Sequence, residues 1–207
     1  MALHRPDNLQ RRGTALIEFA LVMTMLIPLF FGMVIFGISA GRAIQAMQFT
    51  RDLGHMYSMG VDFSTTSSQS LMTTLAQNLD VSTTGTGVVI FSQVKKVYQS
   101  DCDAQTLSTC PNANSIVFVH RLVLGNTSVR ASNYGTPSSI YINSLGNISP
   151  SNYLAQSSLV VTNSSVLPVV PVGNSVYVVE SFFGIPALAF LSPIGVPVNG
   201  VYSVSYF

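Results

Sequence analysis

The sequence predicts an α+β protein: one long N-terminal helix that begins as a membrane span and continues into a small, mostly antiparallel sheet domain. Three observations predict it. Phe19 to Gly41 is a run of 23 positions without a charged residue. Beyond it, Ala46, Phe49, Leu53 and Met56 recur at helical spacing. After Gly60 the chain turns to short runs dense in Val, Ile, Tyr and Phe, punctuated by Gly, Pro and Asn.

Composition sets the frame. Of 207 residues only 8% are charged, the net charge is +1, and 48% are hydrophobic; a soluble domain carries roughly 25% charged residues. So little charge argues against an ordinary cytosolic enzyme. A near-zero balance argues against a nucleic-acid partner, which needs a basic stripe. Disorder driven by self-repelling charge is excluded as well. Two cysteines are too few for a disulfide-dense scaffold or a four-cysteine zinc site. A membrane-anchored or exported protein remains.

Residues 1–13 form a polar head carrying Arg5, Arg11 and Arg12 against Asp7. Residues 14–60 form the long helix, with the span at about 19–41. As a helix that span is roughly 35 Å long at about 1.5 Å per residue, enough for a hydrocarbon core of about 30 Å. Pro28 and several glycines lie inside it, which lipid-buried helices tolerate and which favour a bend. The run is too long for a signal-peptide core and no small-residue cleavage site follows directly, so a retained anchor is favoured over a removed signal. Three basic residues precede the run and two follow closely, a bias for a cytoplasmic N-terminus with residues 61–207 outside.

More than a third of residues 61–207 are Ser, Thr, Asn or Gln. Ser64 to Gln69 reads as a polar spacer and Leu71 to Leu79 as a short helix. Strands are expected at Val88 to Tyr98, Ile116 to Leu124, Val176 to Phe183 and Val201 to Phe207, with weaker ones at Ile140 to Ile142 and Leu159 to Thr162. Short connections favour antiparallel pairing against the second half of the helix.

The informative motif is the junction Arg11-Arg12-Gly13-Thr14-Ala15-Leu16-Ile17-Glu18-Phe19. An acid in a span costs about 2.5–3.5 kcal/mol at the helix centre and less near the interface, so Glu18 wants a partner. Arg12, six residues away, is off its face. A cut after Gly13 would give Thr14 an ammonium group, and Glu18 of one copy could pair with Thr14 of the next, setting a stagger between parallel helices as in pilins. The plain alternative is an acid placed at the positive end of a helix dipole.

The string RRGTALIEFALVMTMLIPLFFGMVIFG resembles the N-terminal segment of TadE-like proteins, pilin-like minor components of the tight adherence (Tad, or Flp) pilus machinery. Gly13, Glu18-Phe19-Ala20-Leu21-Val22, Pro28, Phe31-Gly32 and Phe36-Gly37 stand at matching positions. The resemblance covers roughly the first 60 residues. It departs at Ile35, where the family often has an acid, and at Phe19, where processed members have Tyr. It implies a prepilin processing site between Gly13 and Thr14, a dedicated prepilin peptidase and other pilin-like subunits as partners, Glu18 as the registry residue, and a place in the bacterial inner membrane supporting assembly of an adhesive surface pilus.

Other candidates are smaller. Gly37 and Gly41 form a small-xxx-small pair suited to close helix packing. Cys102 and Cys110 lie in a loop-like stretch of an exported body, where a disulfide is the natural reading; closing so short a loop is worth about 2.6 kcal/mol in the chain-entropy model. His4, His55 and His120 have no metal-ligand spacing. Glu180 alternates with Val178 and Phe182, so it is expected to face solvent at a sheet edge or a partner. No nucleophile elbow or paired carboxylate is present in the sequence, so no enzyme chemistry, cofactor, metal or small-molecule substrate is expected. The rival functional readings are a pseudopilin of a related secretion system and an uncleaved, membrane-tethered binding or sensory domain.

Overall fold

The computed structural model describes residues 8–185 and 200–207, with side chains described from Thr14 onward. Most of the 1–13 head therefore lies outside the described residues, Asn8 to Gly13 being described only as helix backbone. The order is α1 (Asn8–Ser58), α2 (Thr66–Ala76), β1 (Gly87–Lys96), α3 (Gln99–Ala104), β2 (Ile116–Gly125), α4 (Pro150–Ala155), β3 (Ser175–Phe183) and β4 (Val201–Tyr206). The chain divides into two compact units between Gly41 and Arg42, within α1.

In the first unit α1 presents apolar side chains outward on every side: Leu16, Met25, Leu29, Met33 and Phe36 are all exposed. A helix that is apolar all round belongs in an apolar surrounding. Pro28 lies inside the helix, where it removes one backbone donor. Thr24 Oγ1 donates to the Leu21 carbonyl at 2.7 Å, a bond available to hydroxyls within helices.

The second unit is built on a four-stranded sheet in the order β2-β1-β3-β4, with every neighbouring pair antiparallel. Its helix is amphipathic. Ala46, Phe49, Leu53 and Tyr57 are buried against Val89, Phe91, Val179 and Phe183 from one sheet face, together with Phe63 and Met72. Burying one such Leu or Phe contributes roughly 1.5–3 kcal/mol. The helix stops at a Schellman motif: Val61 N donates to Met56 O and Gly60 N to Tyr57 O, and Gly60 takes the required positive φ of 88°. Gly54 is needed where β4 ends, since a Cβ there would lie 2.8 Å from Cδ2 of Phe207.

The opposite sheet face presents Val94, Phe118, Val176 and Val178. It is covered by the β2–β3 connection through Tyr134, Ile148, Leu159, Val161 and Val170. This connection forms three short 3-10 turns and α4. It pairs with β2 through the isolated bridges Val117–Val160 and His120–Asn147 and through single backbone bonds such as Arg121 N to the Gly146 carbonyl. Here the structure corrects the sequence. Ile140 to Ile142 and Leu159 to Thr162 are not strands. Ser139–Tyr141 and Ser157–Leu159 are 3-10 turns, and Ile142 and Val160 each make a single bridge. After the first run Asn143 Oδ1 accepts from Leu145 N and Asn147 N, and in the second Val161 N and Thr162 N donate to different segments, at Ile116 and Tyr134, so no ladder propagates.

A third cluster joins Val97, Cys102, Val117 and Leu154. Cys102 and Cys110 stand at disulfide distance, with Cα atoms 5.8 Å apart. Beside them Asp101 accepts from Lys95 Nζ at 2.7 Å and from Tyr98 N at 2.8 Å. Burial pushes the Asp101 carboxyl up, but these two donors hold it below the usual carboxylate range.

Candidate functional site

The first candidate is the apolar half of α1. Thr14–Ser58 holds one window long and apolar enough to cross a membrane, and none of that window is buried. Thr14 and Glu18 are both exposed. They stand four residues apart in α1, so they share a helix face. The Gly13–Thr14 peptide is inside α1, which begins at Asn8. Gly37 and Gly41 also lie on one face, and a Cβ built on either meets nothing within 4 Å, so another helix has room to approach there. Arg42 does not extend away from the second unit: its Nη1 donates to the Asn78 carbonyl at 2.9 Å, tying the helix to the turn after α2.

The second candidate is a polar cluster that sequence reasoning missed. Glu180 is expected at solvent or facing a partner but is 1% exposed. Its alternation with Val178 is observed, yet that face carries the cover from the β2–β3 connection. Glu180 Oε1 accepts from Asn133 N and from the Tyr202 hydroxyl, each at 2.9 Å, and Oε2 accepts from the Ser132 hydroxyl. Arg121, on β2, brings Nη1 to 3.9 Å from Oε2. The same Nη1 donates to Ser92 Oγ at 2.6 Å, and Nη2 to the Gly135 carbonyl at 3.2 Å.

Burial pulls the Arg121 guanidinium down to about 10, opposed by the Glu180 carboxylate. Burial, and then the charge of Glu180, push the Tyr202 hydroxyl above its ordinary value. Glu180 is thus an acceptor of three hydrogen bonds sealed from water. That arrangement fixes the 132–135 segment onto the sheet; it offers no accessible base for chemistry. The available signal was the pairing of a lone Arg and a lone Glu within apolar strands, since neither is buried without a partner.

The third cluster surrounds His120 on the helix side of the sheet. Its Nδ1 lies 2.7 Å from the Tyr57 hydroxyl and its Nε2 2.9 Å from the Leu145 carbonyl. A carbonyl only accepts, so Nε2 carries the proton and Nδ1 accepts from Tyr57. Burial lowers the His120 pKa, with the Leu145 carbonyl opposing. Burial raises the Tyr57 hydroxyl well above its usual range. Among the described residues no group of three or more His, Cys, Asp or Glu is arranged to hold a metal ion. No protein-family model matches the chain, and no curated protein or solved structure is significantly similar to it.

Proposed function

We propose that the chain is a membrane-anchored, TadE-like minor pilin or pseudopilin that assembles with other pilin-like subunits of a Tad-type surface pilus. The carrying observation is the junction: one carboxylate, Glu18, ahead of a charge-free helix whose apolar side chains are exposed, continuing as the helix on which a sheet domain is built. In this reading the apolar half lies in the bacterial inner membrane, the N-terminus is cytoplasmic and the sheet domain is outside. A prepilin peptidase cuts after Gly13. The scissile bond sits in the first turns of a helix, and a protease needs it opened. Glycine is about 1 kcal/mol poorer than alanine in a helix, so Gly13 eases that opening. The new ammonium of Thr14 in one copy pairs with Glu18 of the next, and Gly37 and Gly41 let neighbouring helices close.

N-terminal sequencing of the membrane form, from cells with active prepilin peptidase, is expected to read from Thr14. A sequence starting at Met1 defeats the processing step and favours an uncleaved tether for a binding or sensory domain. Glu18→Ala is expected to leave membrane insertion intact and abolish co-purification with pilus subunits. Undiminished co-purification would remove the registry role.

A further inference from the structure

Two cavities in the second unit meet at the same pair of side chains, Gln93 of β1 and Tyr177 of β3. The larger, about 620 Å³, runs from this pair past Phe207 to the Gly173–Asn174 turn. The smaller, about 240 Å³, runs from it to His120, Asp62 and Asn147. Gln93 and Tyr177 are register partners across the sheet, and Gln93 Nε2 donates to the Tyr177 hydroxyl at 3.4 Å. The larger lies within the roughly 300–1,000 Å³ of small-molecule sites and the smaller falls below it.

We propose that the two cavities form one groove that binds a neutral oligosaccharide, with a sugar ring against Tyr177 and Phe207 and hydroxyls paired by Gln93, Asn147 and Asn174. The chemistry of the walls selects this class. No charged side chain lines the larger cavity, so an ionic ligand gains nothing there. In the smaller one the lone acid is Asp62, whose carboxyl is held below the usual range by its bonds from Ser64; it repels anions and can accept hydrogen bonds from hydroxyls. Amide side chains both donate and accept, which matches vicinal hydroxyls. Aromatic faces suit the C–H face of a sugar through weak polarised contacts.

A peptide is the poorer fit. Extended peptides dock by adding main-chain hydrogen bonds to an open strand edge. The Tyr177 and Phe207 main chains that border the groove already bond each other, at 2.9 and 3.0 Å, so a peptide lying in it gains no main-chain pairing from them; edge addition would fall on the outer side of β4 instead. A lipid tail would want an enclosed apolar cavity, whereas this one is open to solvent and its proline, valine and aromatic wall is broken by the amides of Gln93 and Asn174.

The test uses the full chain in lipid nanodiscs, avoiding sugar-headed detergents, and saturation-transfer NMR with maltotriose, cellotriose and chitotriose as probes. Saturable transfer to at least one of them is expected, with affinity falling at least tenfold in both Asn174→Ala and Phe207→Ala. Asn174 is on an exposed turn, so its variant carries the test if Phe207→Ala lowers the melting temperature. The absence of saturable transfer for all three sugars overturns the proposal, as does undiminished binding by Asn174→Ala. Tighter binding of a heparin tetrasaccharide than of any neutral probe overturns the neutral class. Displacement of a bound sugar by an uncharged proline-rich peptide of micromolar affinity would reassign the groove to a peptide.

Discussion

The two halves of α1 are one helix with opposite rules. From Thr14 to Gly41 the large apolar side chains face outward: Met25 is 79% exposed and Phe36 74%. From Arg42 to Ser58 the face carrying Ala46, Phe49, Leu53 and Tyr57 is buried under the sheet, with Ala46 and Leu53 fully so, while Ile44 and Met47 on the other side stay exposed. Backbone geometry is common to both, so the difference is a statement about surroundings. The second half is solvated by its own domain. The first half is long and apolar enough to cross a membrane, and none of its apolar window is buried among the described residues.

The comparison breaks most severely if charge enters the first half. Val22→Arg combined with Leu29→Arg costs about 2.5–3.5 kcal/mol per arginine at a helix centre. The double variant is expected to leave the carbonate-resistant membrane pellet, while the disulfide-distance pair and the sheet survive; retention in the pellet would contradict a lipid-facing first half. Next in size is Glu180→Gln in the second unit. It strands the buried Arg121 and is expected to destabilise that unit by about 3–5 kcal/mol, read by denaturant melts. A loss under 1 kcal/mol would mean that water reaches the pair.

Leu53→Ala follows, at about 2–5 kcal/mol for a buried leucine, whereas Leu26→Ala in the first half should leave the melting of the sheet domain unchanged. Equal effects would erase the distinction between the halves. Reduction of the Cys102–Cys110 pair is expected to cost about 2.6 kcal/mol. Intact mass before and after reductant should differ by two protons, and no difference removes the bridge.

The smallest effect is acid sensitivity at His120. Its folded pKa lies below the unfolded value of about 6.5, so the unfolded chain binds the extra proton first. The stabilisation is complete above about pH 6.5 and is lost as pH falls through the folded value. His120→Gln should flatten the melting temperature between pH 7 and 5; an unchanged slope would assign it to other groups.

Both halves of α1 were legible from the sequence, because an unbroken apolar run and a period of 3.6 are local signals. The antiparallel core strands were legible for the same reason: Val88 to Phe91 and Val176 to Val179 are dense in β-branched residues. The cover over the second sheet face was not. Residues 126–174 fold through 3-10 turns and single bridges, which leave no period to read. Glu180 shows the consequence. Its face was predicted by alternation, but its burial depends on Ser132 and Asn133, which reach it only through that cover, and on Arg121 across the sheet. The His120 site was hidden likewise, since Tyr57 and Leu145 come to it from a helix and a turn far apart in sequence.

The strand order carries a consequence in time. β1 is synthesised first yet lies inside the sheet, flanked by β2 and β3. Its β2 partner follows after a short excursion, but β3 arrives only after the long β2–β3 connection has emerged. Until then the Val88-Val89-Ile90-Phe91 segment keeps one open edge and one uncovered face, its other face having α1 and α2 to pack against. Non-local pairings of this kind form late and expose strand edges to aggregation meanwhile. A chain with this topology carries that exposure until β3 closes beside β1.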